Sequence, residues 1–149
     1  MKSYFLLLYL FFMVPQNGKT IEDYRWINRI VIMNFENLTL DSLLVGMEKS
    51  SEERKLLFVE FKNGKFIKSS GEDEIDSGGF IKVLSRTTPN PEWVLIGLDG
   101  GVKASGAYHD FSLKKIFELI DHMPMRQSKN KKVSSKGVNF SLLYEKYPV

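Results

Sequence analysis

The chain of 149 residues contains no cysteine. That absence excludes a disulfide scaffold, a thiol nucleophile, a dithiol redox pair and any thiolate-ligated zinc or iron–sulfur centre. Histidine is nearly as scarce. His109 and His122 are the only two, which leaves no multi-histidine metal centre. Neither a metal nor a cofactor is expected. Long apolar runs are also lacking, with one exception at the N-terminus. What is present is the balance of a globular protein, 43% hydrophobic and 26% charged, at a length that suits one domain.

The exception is residues 5–14 (FLLLYLFFMV), preceded by Lys2 and followed by Pro15, Gln16, Asn17 and Gly18. A basic start, about ten apolar residues and a turn-prone exit have the build of a secretory signal. The run is too short to span a bilayer, which takes ~20 apolar residues. A buried N-terminal helix or strand is the alternative. Cleavage is expected after Gly18, although Gln16 is large for the position it would hold. A retained, membrane-attached form stays open. The expected organisation is a signal peptide over residues 1–18, a domain over 19–126 and a basic tail over 127–149. The protein is expected to be exported, to a periplasm or outside the cell.

Within the domain, residues 30–33 (IVIM) are apolar, β-branched and few, as in a strand buried on both faces. Thr39 or Asp41 caps a helix carrying Leu40, Leu43, Leu44 and Met47, and the polar stretch from Glu48 to Lys55 is expected to end it. Residues 56–61 (LLFVEF) form a second strand. Asn63-Gly64 turns the chain into a returning strand over residues 65–68 (KFIK). Residues 69–79 read as a polar loop, and Phe80, Ile81 and Leu84 as a short helix. After Thr87-Thr88-Pro89-Asn90-Pro91, residues 93–98 (WVLIGL) form a third strand. Asp99-Gly100-Gly101 turns into a hairpin partner over 102–105. Asp110 or Ser112 caps a last helix with Leu113, Ile116, Phe117 and Ile120 on one face, stopped by Pro124. This order predicts an α/β domain, a mixed sheet flanked by helices in the thioredoxin-like arrangement. Pro91, two residues ahead of a strand that leads into a hairpin, is consistent with it.

Two stretches are specific. Residues 94–103 (VLIGLDGGVK) and 117–126 (FELIDHMPMR) resemble the family catalogued as domain of unknown function 4174, whose members show a GxDGGVK hairpin and end in lIDxMPMR. The resemblance runs from about Trp26 to Arg126. Its N-terminal half matches only as a buried strand followed by a helix. It implies a thioredoxin- or peroxiredoxin-like fold in exported proteins, and kinship with domains of vertebrate extracellular-matrix and cell-surface proteins, where adhesion and matrix binding are the associated roles. It implies a fold and a compartment, not a reaction.

No residue is assigned a catalytic role. A redox thioredoxin needs a low-pKa cysteine at the start of its first helix. Here that loop reads Asn34-Phe35-Glu36-Asn37-Leu38-Thr39, and Thr39 can neither exchange disulfides nor reduce peroxide. A helix start at Thr39 beside a loop at Pro91 can still bind an extended peptide or an anion, against the plainer reading of an ordinary capped helix. Lys103 follows a glycine turn that lacks the spacing of a phosphate loop. It can reach a ligand or simply be an exposed strand lysine. Arg126 can dock a partner or bond the carbonyls of the preceding helix. His109-Asp110 invites an acid–base reading, but neighbours in a loop are not expected to hold each other at hydrogen-bond geometry, and no nucleophile is placed near them. Glu72, Asp73, Glu74 and Asp76 match no EF-hand spacing and read as a solvated acidic loop.

Charge is uneven. From Arg126 to Val149 there are six basic residues and one acid, so this segment carries +5 while the whole chain carries +3. The domain itself is mildly acidic. Such a tail can settle on anionic headgroups or polysaccharide. A protein or an anionic surface polymer is the expected partner, and nucleic acid is not. The expected function is a non-catalytic binding or surface-association module. The alternative is a cysteine-free enzyme with a site near His109, Asp110 and Lys103.

Overall fold

The computed structural model describes residues 18–87 and 90–124. The apolar leader run, Arg126 and the basic tail lie outside the described residues. The chain divides into two compact units, one up to Phe111 and one from Ser112.

The first unit is an α/β layer structure. Strand β1, Arg29–Asn34, is followed by two short helices, α1 over Leu40–Leu44 and α2 over Glu48–Glu53. Strands β2 (Leu56–Lys62) and β3 (Lys65–Ser69) form a hairpin, and helix α3 spans Ser77–Arg86. A second hairpin joins β4 (Trp93–Ile96) and β5 (Val102–Gly106). The five strands lie in the order β3-β2-β1-β4-β5. β1 and β2 are parallel, and every other pair is antiparallel. The run β2-β1-β4-β5 is consistent with a thioredoxin-like sheet, with β3 added at one edge.

The chain makes this sheet for simple reasons. β1, β2 and β4 are short, branched and aromatic, and are buried along almost their whole length, as central strands covered on both faces must be. One face carries Ile30, Ile32, Leu57, Val59, Phe61, Val94 and Ile96 against Phe80 and Leu84 of α3 and against Tyr24. The other carries buried Val31, Met33, Phe58 and Leu95. There the start of α1 is held by the Glu60 carboxylate, which accepts a 2.9 Å hydrogen bond from the Leu40 amide.

Three details depart from the expected elements, the smallest being that β4 stops at Ile96 where a strand over residues 93–98 was expected. The stretch from Glu48 to Lys55 does not merely end a helix; most of it is α2. Gly46 adopts φ +72°, a conformation that glycine takes freely, and this ends the expected helix at Leu44, before Met47, with the unexpected α2 following it. Helix α3 starts at Ser77, so Ser77, Gly78 and Gly79 belong to its first turn rather than to the preceding loop. The Asn63-Gly64 turn is as expected, with φ +50° and +75°, the paired positive values of a tight hairpin.

The amino end of this unit is pinned. Lys19 forms a parallel bridge with Ile75. The Lys19 amide donates to the Glu74 carbonyl at 2.8 Å, and the Asp76 amide donates to the Lys19 carbonyl at 2.9 Å. A Cβ on Gly18 would lie 2.7 Å from the Asp76 nitrogen and nearer still to the Ile75 carbonyl carbon, so only glycine fits. The acidic loop thus serves as a clamp. Its Asp73 pairs with Lys19 at 2.8 Å and accepts from the Tyr24 hydroxyl at 3.3 Å.

The second unit contributes helix α4, Leu113–Asp121. Leu113, Ile116 and Ile120 are its buried positions, the stripe expected at helical spacing. Ser112 occupies the cap position without a side-chain cap bond. At the other end, His122 Nδ1 lies 2.6 Å from the Glu118 carbonyl oxygen, a use of histidine that suits a helix C-terminus.

Candidate functional site

In an open α/β sheet, ligands favour the carboxyl ends of strands where successive connections leave in opposite directions. β1 is that strand here, with β2 on one side and β4 on the other. At its carboxyl end, Asn34, the last residue of β1, accepts through Oδ1 from the Gly64 amide at 3.1 Å, and its own amide donates to the Glu92 carbonyl at 2.8 Å. Asn34 therefore ties both hairpins to the central strand.

An open cleft of about 270 Å³ lies at this end. Its apolar wall is Ile81 and Leu84 of α3 with Pro91, and its polar groups are Asn34, Ser85, Asn90 and Glu92. Apolar lining with a few polar handles is the usual make-up of a binding cleft. Asn90 holds φ +39°, a left-handed value that asparagine takes more readily than most residues.

Across the sheet at the same end lies an aromatic cluster. Phe35 packs edge-on against Tyr108 and Phe111, with ring centroids 5.1 and 5.0 Å apart, and Phe111 packs against Trp93 at 5.7 Å. Such contacts add to the burial energy of the rings. The Trp93 indole N–H donates to the Ala107 carbonyl at 3.1 Å, and the Glu92 carboxylate accepts from the Tyr108 amide at 2.7 Å. These bonds fix the segment after β5 to the loop before β4. Tyr108 is the exposed member of the cluster.

The sequence-nominated residues do not converge. Thr39 is the N-cap of α1, accepting from the Ser42 amide at 3.4 Å, and sits with Glu60 on the face opposite α3. Pro91 lines the cleft on the α3 side. Lys103 is occupied by Asp99 at 2.5 Å. The Asp99 carboxyl is held below its usual range, first by that bond and then by the Gly101 amide. The motif is thus a self-contained hairpin. His109 and Asp110 lie within ion-pair distance, with Nε2 3.3 Å from Oδ2, but outside hydrogen-bond geometry, and the histidine side chain is 80% exposed. They belong to a 3-10 turn, Tyr108–Asp110, just beyond the carboxyl end of β5, whereas Lys103 is at its start. Histidine, aspartate and lysine therefore form no common site. Among the described residues, no group of three or more acidic or histidine side chains is placed to hold a metal.

Sequence reasoning overlooked Asn34, Glu92, Tyr108 and Glu60. Only Glu60 was signalled, as the lone charge in LLFVEF. It is buried to 4% exposure.

A family model, Domain of unknown function (DUF4174), matches residues 20–129. The chain belongs to the DUF4174 family. The match takes in the whole sheet of this DUF4174 domain, its cleft and the aromatic cluster. No curated protein and no solved structure matches the chain.

Proposed function

We propose that this DUF4174 domain is an exported, non-catalytic binding module that takes an extended protein segment into the cleft at the carboxyl end of β1. The reading is carried by one observation: the cleft pairs an apolar wall of Ile81, Leu84 and Pro91 with uncharged and acidic hydrogen-bonding groups. The chain has no cysteine, so thiol chemistry has no residue to run on. Asn34, Asn90 and Glu92 can bond peptide groups, and the apolar wall can take a side chain. The basic tail supplies a second, charge-driven contact with an anionic surface polymer.

Ser85 is exposed at the cleft, so Ser85→Trp fills the opening from a helix surface without touching the core. The full chain is expected to retain a stoichiometric partner from envelope extract, and Ser85→Trp, with an unchanged circular dichroism spectrum, to lose it. Equal retention by both would reject the cleft as the binding site. Turnover of a substrate by the purified protein would reject the non-catalytic reading.

A further inference from the structure

The turn between the first 3-10 helix, Glu22–Tyr24, and β1 displays two large apolar side chains to solvent. Trp26 is 56% and Ile27 57% exposed. Nothing in the local backbone is loose. The Trp26 amide donates to the Leu98 carbonyl at 2.6 Å, and the Ile27 and Asn28 amides both donate to the Tyr24 carbonyl, at 3.0 and 2.9 Å. Trp26 is held at φ +65°, a left-handed conformation that is costly for a bulky L-residue. The backbone thus spends strain to hold the indole outward. The GLDGG turn supplies the ledge: it offers the Leu98 carbonyl, and the Arg25 stem lies against Gly100. The Arg25 guanidinium sits 5.9 Å from the indole centroid, and Val102, just after the turn, is 47% exposed.

The occupant follows from where the described part of this unit begins. Trp26, Leu98 and Val102 lie at the amino end of β1, because Ile96 and Val102 pair with each other and Ile96 pairs with Ile30. Gly18 leaves at the same end. It is clamped to residues 74–76, which follow a loop whose Gly71 abuts Leu57 near the start of β2, and β2 runs parallel to β1. Only Pro15, Gln16 and Asn17 separate Gly18 from the apolar run of residues 5–14. Three residues reach roughly 10 Å at full extension. A bilayer that takes up the run therefore lies next to this end of the sheet.

We propose that, while the leader is retained, this end of the domain rests on a lipid bilayer with Trp26 and Ile27 in the headgroup layer. The indole suits that layer, with an apolar body and a polar N–H, and Arg25 can keep its charge in water while its stem covers apolar surface.

Trp26 and Trp93 are the only tryptophans, and Trp93 is 3% exposed. The full chain is mixed with phosphatidylcholine vesicles, plain or brominated in the acyl chains near the headgroups. The expected result is co-sedimentation, a blue shift of emission and a loss of emission in brominated relative to plain vesicles. Both spectral changes should vanish in Trp26→Phe although that variant still sediments. A chain that fails to sediment, or that sediments with equal emission in the two kinds of vesicle, would overturn the proposal. So would quenching that survives Trp26→Phe.

Discussion

Glu60, like Arg29, is a charged residue buried to 4% exposure. Its carboxylate is the partner of the Leu40 amide in a buried setting. Glu60→Ala leaves that donor without an acceptor and should cost about 1–3 kcal/mol, read as a lowered urea midpoint. Glu60→Gln keeps an acceptor oxygen and should recover part of the loss. Asp99 makes a pH-dependent contribution. Its pKa is lowered in the folded state, so its stabilising effect is complete above the ordinary aspartate value of about 3.9 and is lost as pH falls through the lower folded value. The Gly101 amide resonance should report this acid transition, and Lys103→Ala should move the transition upward. Tyr24 works in the opposite direction of pH. Burial first, and then the Asp73 charge, raise its pKa from 10.0 to about 12. The folded state keeps a proton that the unfolded chain gives up, so stability is full below about pH 10 and declines as pH rises toward 12. Tyr24→Phe should flatten that alkaline decline in a denaturation series.

At the scale of elements, turn chemistry decides where the chain bends. Gly46 at φ +72° has no neighbour within 4 Å of a would-be Cβ. Gly46→Ala should therefore cost only the left-handed penalty of about 1 kcal/mol, visible in the same urea experiment, and not the larger cost of a steric clash. The position also shows why the α1–α2 break was hard to foresee. Leu40, Leu43, Leu44 and Met47 keep helical spacing across it, and periodicity cannot see one φ value. The strands were legible, because IVIM, LLFVEF and the start of WVLIGL are continuous branched or aromatic runs and Asn63-Gly64 is a strong turn signal, although the third strand stops at Ile96 rather than Leu98. α3 was read too short, since Gly78 and Gly79 look like loop residues until the turn containing them is seen. The cleft was legible only through Pro91. Asn34, Ser85, Asn90 and Glu92 are ordinary polar residues, and only the strand order brings them to one opening. His109-Asp110 is the converse case: a pair that stands out in sequence stands in solvent in the structure.

The sheet gives the whole first unit two unlike ends. At the carboxyl end of β1 lie the cleft and the aromatic cluster. At the amino end lie the Gly18 exit and the exposed Trp26-Ile27 pair. The opposing directions of β1 and β4 carry one residue set to each end. Changes at the two ends should accordingly be additive, because neither shares contacts with the other. The double variant Ser85→Trp with Trp26→Phe should lose partner retention and vesicle quenching to the same degree as each single variant loses its own.

The clamp on Gly18 also sets an order of events. A peptidase needs its substrate strand free on both sides of the cut. Here the main chain on either side of the Gly18–Lys19 junction is sealed against residues 74–76. Once that seam has closed, the junction is shielded, so an enzyme that trims there must reach the nascent chain first. Under the proposal that residues 1–18 are a leader cut after Gly18, release of the domain is a race between trimming and folding.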